Sequence, residues 1–177
     1  MKNHYLLSAT GQDHPGFVSN ITKILFELHC NLEDSSMMRL GSEFGMFIIF
    51  SSDQSLNVKN FSTLRDGPDL SLNLKKITSK QAQFVPAKRE SYIVRVHGQD
   101  KPGIVFHLTQ CLAKHGFNIT DLSTHRTTQG RLPGYIVLLE GELLETNHLK
   151  PLQRDLVRMA KRLKTHISIG PISTQSL

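Results

Sequence analysis

The sequence predicts an α+β protein made of two copies of one strand-helix-strand-strand-helix-strand unit, and three observations predict it. Residues 11–16 read Gly-Gln-Asp-His-Pro-Gly, and residues 98–103 read Gly-Gln-Asp-Lys-Pro-Gly, 87 positions later. The register then holds without a gap: Val18, Thr22 and Leu25 meet Val105, Thr109 and Leu112, while Asn31, Asp34, Ser36 and Arg39 meet Asn118, Asp121, Ser123 and Arg126. An apolar run precedes each motif (5–9 and 92–96), and a helical pattern follows it. Self-similarity at a fixed offset marks a duplicated structural unit, and 177 residues accommodate two modules of about 75–85 residues.

In the first copy, 4–10 reads as a strand. Residues 15–29 read as a helix, because Val18, Ile21, Leu25 and Leu28 recur at three- and four-residue spacing. Residues 31–40 form a second strand, Gly41-Ser42 a turn, and 44–52, rich in Phe and Ile, a third strand. Val58, Phe61 and Leu64 predict a short second helix that Gly67-Pro68 stops; Leu72, Leu74 and Ile77 then alternate with polar neighbours in a fourth strand, 70–77. The second copy keeps the order: strand 92–96, helix 102–115 with Val105, Leu108 and Leu112 on one face, and strands 118–127 and 135–139 joined by a longer turn, 128–134. Its second helix, 148–163, is the stronger one, with Leu149, Leu152, Leu156, Met159 and Leu163 in one seam, and 165–169 closes the unit. Residues 79–90 are polar and aperiodic and read as a linker, with a short tail at 172–177. The expected result is two ferredoxin-like βαββαβ modules, 1–78 and 91–171, each an antiparallel four-stranded sheet with both helices on one face.

Composition narrows the function. The net charge of +6 is uneven: residues 1–78 carry seven basic and eight acidic side chains, whereas 79–177 carry fourteen and seven. No apolar run approaches the ~20 residues of a transmembrane helix, and the N-terminal stretch does not read as a secretory signal, so a cytoplasmic protein is expected. Cys30 and Cys111 occupy non-equivalent repeat positions and lack metal-ligand spacing; both read as small apolar fillers. Nine histidines include no HExxH and no Ser-His-Asp context. His107 and Cys111, one helical turn apart, form a two-ligand edge with no further ligands in view, so no metal, cofactor or catalytic residue is expected.

The repeated motif sits where a strand ends and a helix begins. Proline at the first helical position gives up an N–H that has no partner there, and Asp13 as N-cap would accept from the Gly16 N–H. Unpaired first-turn N–H groups and the helix dipole favour an anion such as a carboxylate by roughly 0.3–1 kcal/mol when exposed and ~2 when partly buried. Position 14 is His and position 101 is Lys, so either the second loop attracts a carboxylate more strongly or only one of the two sites functions. Asn31 and Asn118 open the next strand, either as amide donors or as left-handed residues that end the helix.

Strand, Asp-x-Pro-Gly-apolar, amphipathic helix, then Asn-apolar-x-x-Asp resembles an ACT domain, twice over, across roughly 4–78 and 91–170. Within that family the tandem layout is most similar to the glycine cleavage system transcriptional repressor group. The resemblance implies a non-catalytic regulator that binds a small effector, an amino acid such as glycine, and controls transcription or metabolism by protein contact. It implies effector contacts from Asp13, His14, Pro15, Gly16 and Phe17, from Asp100, Lys101, Pro102, Gly103 and Ile104, and from Asn31 and Asn118. It further implies a DNA-binding transcription factor as partner and a homodimer formed through ACT sheets or helices. Two alternatives stand beside it. One is a detached regulatory subunit of a metabolic enzyme. The other is direct nucleic-acid binding through Lys150, Arg154, Arg158 and Arg162, an i, i+4 stripe opposite the leucine seam. The absence of paired stacking aromatics and of a helix-turn-helix weighs against nucleic acid.

Overall fold

Period-two alternation turns Tyr5, Leu7 and Ala9 to one side of the first strand, and all three are buried there. The computed structural model describes residues 2–66, 70–83, 90–127 and 134–172. The chain divides into two units, Met1–Pro86 and Ala87–Leu177. The first contains β1 (Asn3–Gln12), α1 (Phe17–Glu27), β2 (Asn31–Leu40), β3 (Glu43–Ser52), a 3-10 segment (Val58–Asp66), β4 (Ser71–Ile77) and a four-residue helix α2 (Ser79–Ala82). The second contains β5 (Ser91–Gln99), α3 (Ile104–Lys114), β6 (Phe117–Thr127), β7 (Gly134–Leu143), a 3-10 turn (Thr146–His148), α4 (Leu149–Leu163) and β8 (Thr165–Pro171).

Each unit is one antiparallel sheet, ordered β2-β3-β1-β4 and β6-β7-β5-β8. Leu7 faces Ile48 and Leu74 across the first sheet, and Val94 faces Leu139 and Ile169 across the second. The duplication extends to irregularities: the register slips between Leu32 and Asp34 in β2 and between Ile119 and Asp121 in β6, again 87 residues apart. Such a bulge twists an edge strand and leaves one residue unpaired.

The cores follow the helix and strand periods. Phe17, Ile21, Ile24 and Leu25 of α1 pack on Phe44, Met46, Ile48 and Phe50 of β3 and on Phe61. In the second unit, Leu108 and Leu112 of α3 join Leu152, Leu156 and Met159 of α4 over Val94, Val137 and Leu139. Each fully buried leucine contributes about 1.5–3 kcal/mol of transfer free energy. Tyr5 keeps its hydroxyl satisfied inside the first core, accepting from the Leu56 N–H at 2.9 Å.

Four local expectations need correction. The helices start later than the proline suggests: α1 begins at Phe17 and α3 at Ile104. The second helix of unit one is a 3-10 segment that kinks at Phe61. There Asn57 and Asn60 side chains accept from nearby backbone N–H groups, at 2.9 Å from Lys59 and 2.8 Å from Asn57, which competes with α-helical pairing. The expected linker 79–90 begins with α2, held by a Thr78–Gln81 capping box, with Ala82 buried. Val18 is on the exposed side of α1, and Phe17 and Ile24 take the core positions instead. Gly67-Pro68, residues 84–89 of the linker and 128–133 of the long turn lie outside the described residues.

The outer strand of unit one is left uncovered. Every residue of β2 is exposed, including Met37 on the helix side of the sheet and Met38 and Leu40 on the other.

Candidate functional site

The two repeated loops are built alike. In unit one, Asp13 leaves β1 with its N–H donating to the Ser42 carbonyl at 2.9 Å, and Gly16 then takes the N-cap position at φ +92°. In unit two, Gly103 takes the same place at φ +89°. Only glycine enters that left-handed region without steric cost. The arrangement displaces the expected aspartate cap: neither N-cap receives a side-chain hydrogen bond, and Pro15 and Pro102 stand before the helix. Among the described residues, no hydrogen bond occupies the N–H groups of Val18 and Ser19, or of Val105 and Phe106. Neither first turn carries an acidic residue. Each loop therefore offers open backbone donors at the positive end of a helix dipole.

The displaced aspartates have another partner. Arg39 Nη1 lies 3.5 Å from Asp13 Oδ2, and Arg126 Nε lies 2.9 Å from Asp100 Oδ2. The pair is duplicated at the same offset and ties each loop to the far end of β2 or β6. Both arginines are well exposed, so each pair contributes at most about 1 kcal/mol. Their guanidinium groups still stand beside the loop as carboxylate partners. Sequence reasoning matched Arg39 to Arg126 in register but did not place them at the site, because only topology brings the end of β2 beside the end of β1.

The asparagines are at the other end. Asn31 pairs with Ser51, which pairs with His4 at the start of β1, whereas the loop follows Gln12. At ~3.3 Å per residue, the nine residues from the level of Asn31 to Asp13 place the two roughly 30 Å apart in one unit. Asn118 pairs with Glu142, opposite Ser91, and is equally remote from Asp100. The left-handed role is not theirs either: His29 at φ 52° and Gly116 at φ 69° take it. Phe17 and Ile104 send their side chains into the cores, which leaves only backbone atoms for a ligand.

Position 14 against 101 is a real divergence. His14 Nδ1 lies 3.1 Å from the Pro15 carbonyl, and its ring meets Phe17 edge-on. Lys101 Nζ donates instead to the Leu163 carbonyl at the end of α4, 3.4 Å away. The added charge of the second loop is thus directed at the negative end of a helix that unit one lacks.

The four stripe residues Lys150, Arg154, Arg158 and Arg162 are all exposed on α4. Arg158 is engaged with Asp155 Oδ1 at 3.4 Å. Asp155 also faces His115 Nε2 at 3.0 Å and Lys114 at 3.9 Å, beside Cys111. The His115 hydrogen bond, with Lys114 and Arg158 adding, holds the Asp155 carboxyl below its ordinary range. Burial, then the Asp155 charge, pushes the Cys111 thiol up. The sequence pairs Cys111 with His107, one turn before it, but the structure gathers His115, one turn after it, and Asp155, 40 residues beyond His115.

Family comparison adds to this geometry. Residues 3–66 match one ACT domain profile and residues 92–158 a second. The chain belongs to the ACT domain family. The tandem ACT chain is 33% identical over 123 residues to the glycine cleavage system transcriptional repressor of Escherichia coli (strain K12), and equally so to that of Shigella flexneri. The alignment covers 67% of this chain and 63% of each relative. A protein of unknown function from Galdieria sulphuraria shares the fold with a TM-score of 0.79 at 22% identity, over 97% of this chain and 99% of that one. A crystal structure of a candidate glycine cleavage system transcriptional repressor does so at 0.69 and 20% identity, over 97% and 98%. The tandem ACT chain is thus a regulatory-domain protein related to the glycine cleavage repressors.

Proposed function

We propose that this tandem ACT protein is a non-catalytic regulator that binds a small amino acid at one or both repeated loops. Its occupancy is conveyed through contact with a protein partner, a DNA-binding transcription factor being the class that fits. The observation that carries this reading is the duplicated loop: a left-handed glycine N-cap, open first-turn N–H groups and an arginine at the same offset in both copies. An amino acid offers a carboxylate to those donors and is small enough for a loop. The name of the Escherichia coli relative makes glycine the first ligand to try. The exposed β2 strand supports pairing of two copies through their sheets. A tenfold shift between two packing states requires the ligand to prefer one of them by ~1.4 kcal/mol, which one or two differential hydrogen bonds supply.

Calorimetry of the full chain against a panel of amino acids, glycine first, tests the proposal. Heat that is lost in the Gly16→Val/Gly103→Val double variant, with its circular dichroism unchanged, supports it. No heat and no thermal shift with any amino acid at millimolar concentration overturns it.

A further inference from the structure

The second unit carries a polar cluster away from the loops, at the edge of its core, against which Cys111 packs. Cys111 lies in the last turn of α3, His115 is the C-cap residue four positions on, and Asp155 reaches them from α4. One donor atom from each residue lies within 4.8 Å of the others. His115 and Asp155 alone would suffice as a polar clasp between the helices, at 3.0 Å. The thiol adds a soft third donor on the same side.

The duplication supplies an internal control. In the 87-residue register, Cys111 and His115 correspond to Ile24 and Leu28. Ile24 is buried in the first core, and Leu28 packs against it. Where copy one satisfies these positions with hydrocarbon, copy two replaces both by metal-type donors and turns them toward an acid. A cavity of about 520 Å³ opens beside them, lined by His107, Gln110, Lys114, Arg158, Met159 and Arg162 together with Cys111 and Asp155.

We propose that Cys111, His115 and Asp155 form a binding site for a zinc-class divalent transition metal, with a fourth coordination position facing this cavity. A mixed thiolate, imidazole and carboxylate set suits zinc or cobalt and does not suit magnesium or calcium, which require oxygen ligands. Around a tetrahedral ion at the usual bond lengths, oxygen and nitrogen donors stand ~3.4 Å apart and sulfur stands ~3.6 Å from either. To reach those values the 3.0 Å between His115 and Asp155 must open slightly and the wider gaps, all within 4.8 Å, must close. The three protein ligands leave one position for water or a small ligand, as in open rather than structural sites.

Binding balances simply. The divalent ion displaces the thiol proton to solvent and forms a bond to the thiolate, while Asp155 and neutral His115 donate lone pairs. The cluster then changes from a net charge of −1 to 0. Three cations line the same cavity, Lys114, Arg158 and Arg162. Lys114 and Arg158 contact Asp155 at 3.9 and 3.4 Å and are about three-quarters exposed, so both can swing into water when the metal takes the carboxylate.

Titration of the metal-free, reduced full chain with cobalt(II) tests the site. The expected result is one ion per chain, with a thiolate-to-cobalt charge-transfer band in the near ultraviolet and tetrahedral bands in the visible, displaced by zinc. Cys111→Ser should abolish the charge-transfer band and Cys30→Ser should leave it intact. Asp155→Asn and His115→Gln should each weaken binding at least tenfold while far-ultraviolet circular dichroism stays unchanged. Absence of the thiolate band overturns the proposal, and so does a band that persists in Cys111→Ser. Cobalt bound only with octahedral, thiolate-free spectra overturns it as well.

Discussion

Replacing Gly16 by alanine isolates the backbone contribution to the loop. A Cβ built there meets no atom within 4 Å, so crowding contributes nothing. What remains is an L-residue held at φ +92°, a strain of about 1–3 kcal/mol. Alanine also narrows the unfolded ensemble, which offsets about 0.4–1 kcal/mol of that. A net loss of roughly 1 kcal/mol is expected. Gly103→Ala should cost the same, because its Cβ would meet the His107 ring at 3.6–3.7 Å, an ordinary contact. Hydrogen exchange read by mass spectrometry is the suitable assay, since it reports each unit separately in a two-unit chain. Amides of β1 and β3 that exchange by unfolding of their unit should do so about fivefold faster in Gly16→Ala, and those of β5 and β7 in Gly103→Ala. Asparagine, which tolerates the left-handed region, should cost less than alanine at either position. Unchanged exchange in Gly16→Ala, or asparagine as costly as alanine, would refute the strain argument.

Other perturbations separate the remaining interactions. Arg39→Ala and Arg126→Ala should each lower stability by only about 0.2–1 kcal/mol, with the loss shrinking as salt rises, measured by urea titration. Gly98→Ala should destabilise the β5–β8 pairing by about 1–3 kcal/mol, since its Cβ would stand 2.7 Å from Thr165 Cγ2 and 3.2 Å from the Thr165 Cα. Leu152→Ala, in the middle of the second core, should cost about 2–5 kcal/mol by thermal or denaturant unfolding. Tyr92 donates a hydrogen bond to Glu90, which pushes its phenol up to about 12 with burial adding. A raised folded-state value means that this stability is complete below the unfolded value of ~10 and lost as pH rises toward about 12. Ultraviolet titration of Glu90→Gln should bring the phenol back toward its ordinary range.

The elements were legible where periodicity is strong. Strand β2 has the bounds read from the sequence, and the seam Leu152, Leu156 and Met159 of α4 is buried as its spacing requires. The 3-10 segment was not, because Val58, Phe61 and Leu64 share the apolar content of a helix while Asn57 and Asn60 divert its hydrogen bonds. At the loops, the motif was visible but its geometry was misread. Proline and aspartate both suit a helix start, and a glycine with free φ claimed the cap from them. Asn31 and Asp13 are separated by strand direction: β1 and β2 run parallel, each antiparallel to β3 between them, so their equivalent ends point the same way. No local pattern encodes that relation. The same holds for Arg39 beside Asp13 and for Asp155 beside Cys111, which are neighbours only after the sheet and the helix pair have formed.

The uncovered strand β2 has a thermodynamic consequence. A second copy or a partner that covered it would bind the folded unit and not the unfolded chain. Mass action then adds RT ln(1 + [L]/Kd) to the apparent stability, ~2.7 kcal/mol at a hundredfold excess over Kd. With the edge so covered, a melting temperature would measure its occupancy as well as the strength of a core, and would climb with protein concentration where the occupant is another copy of the chain.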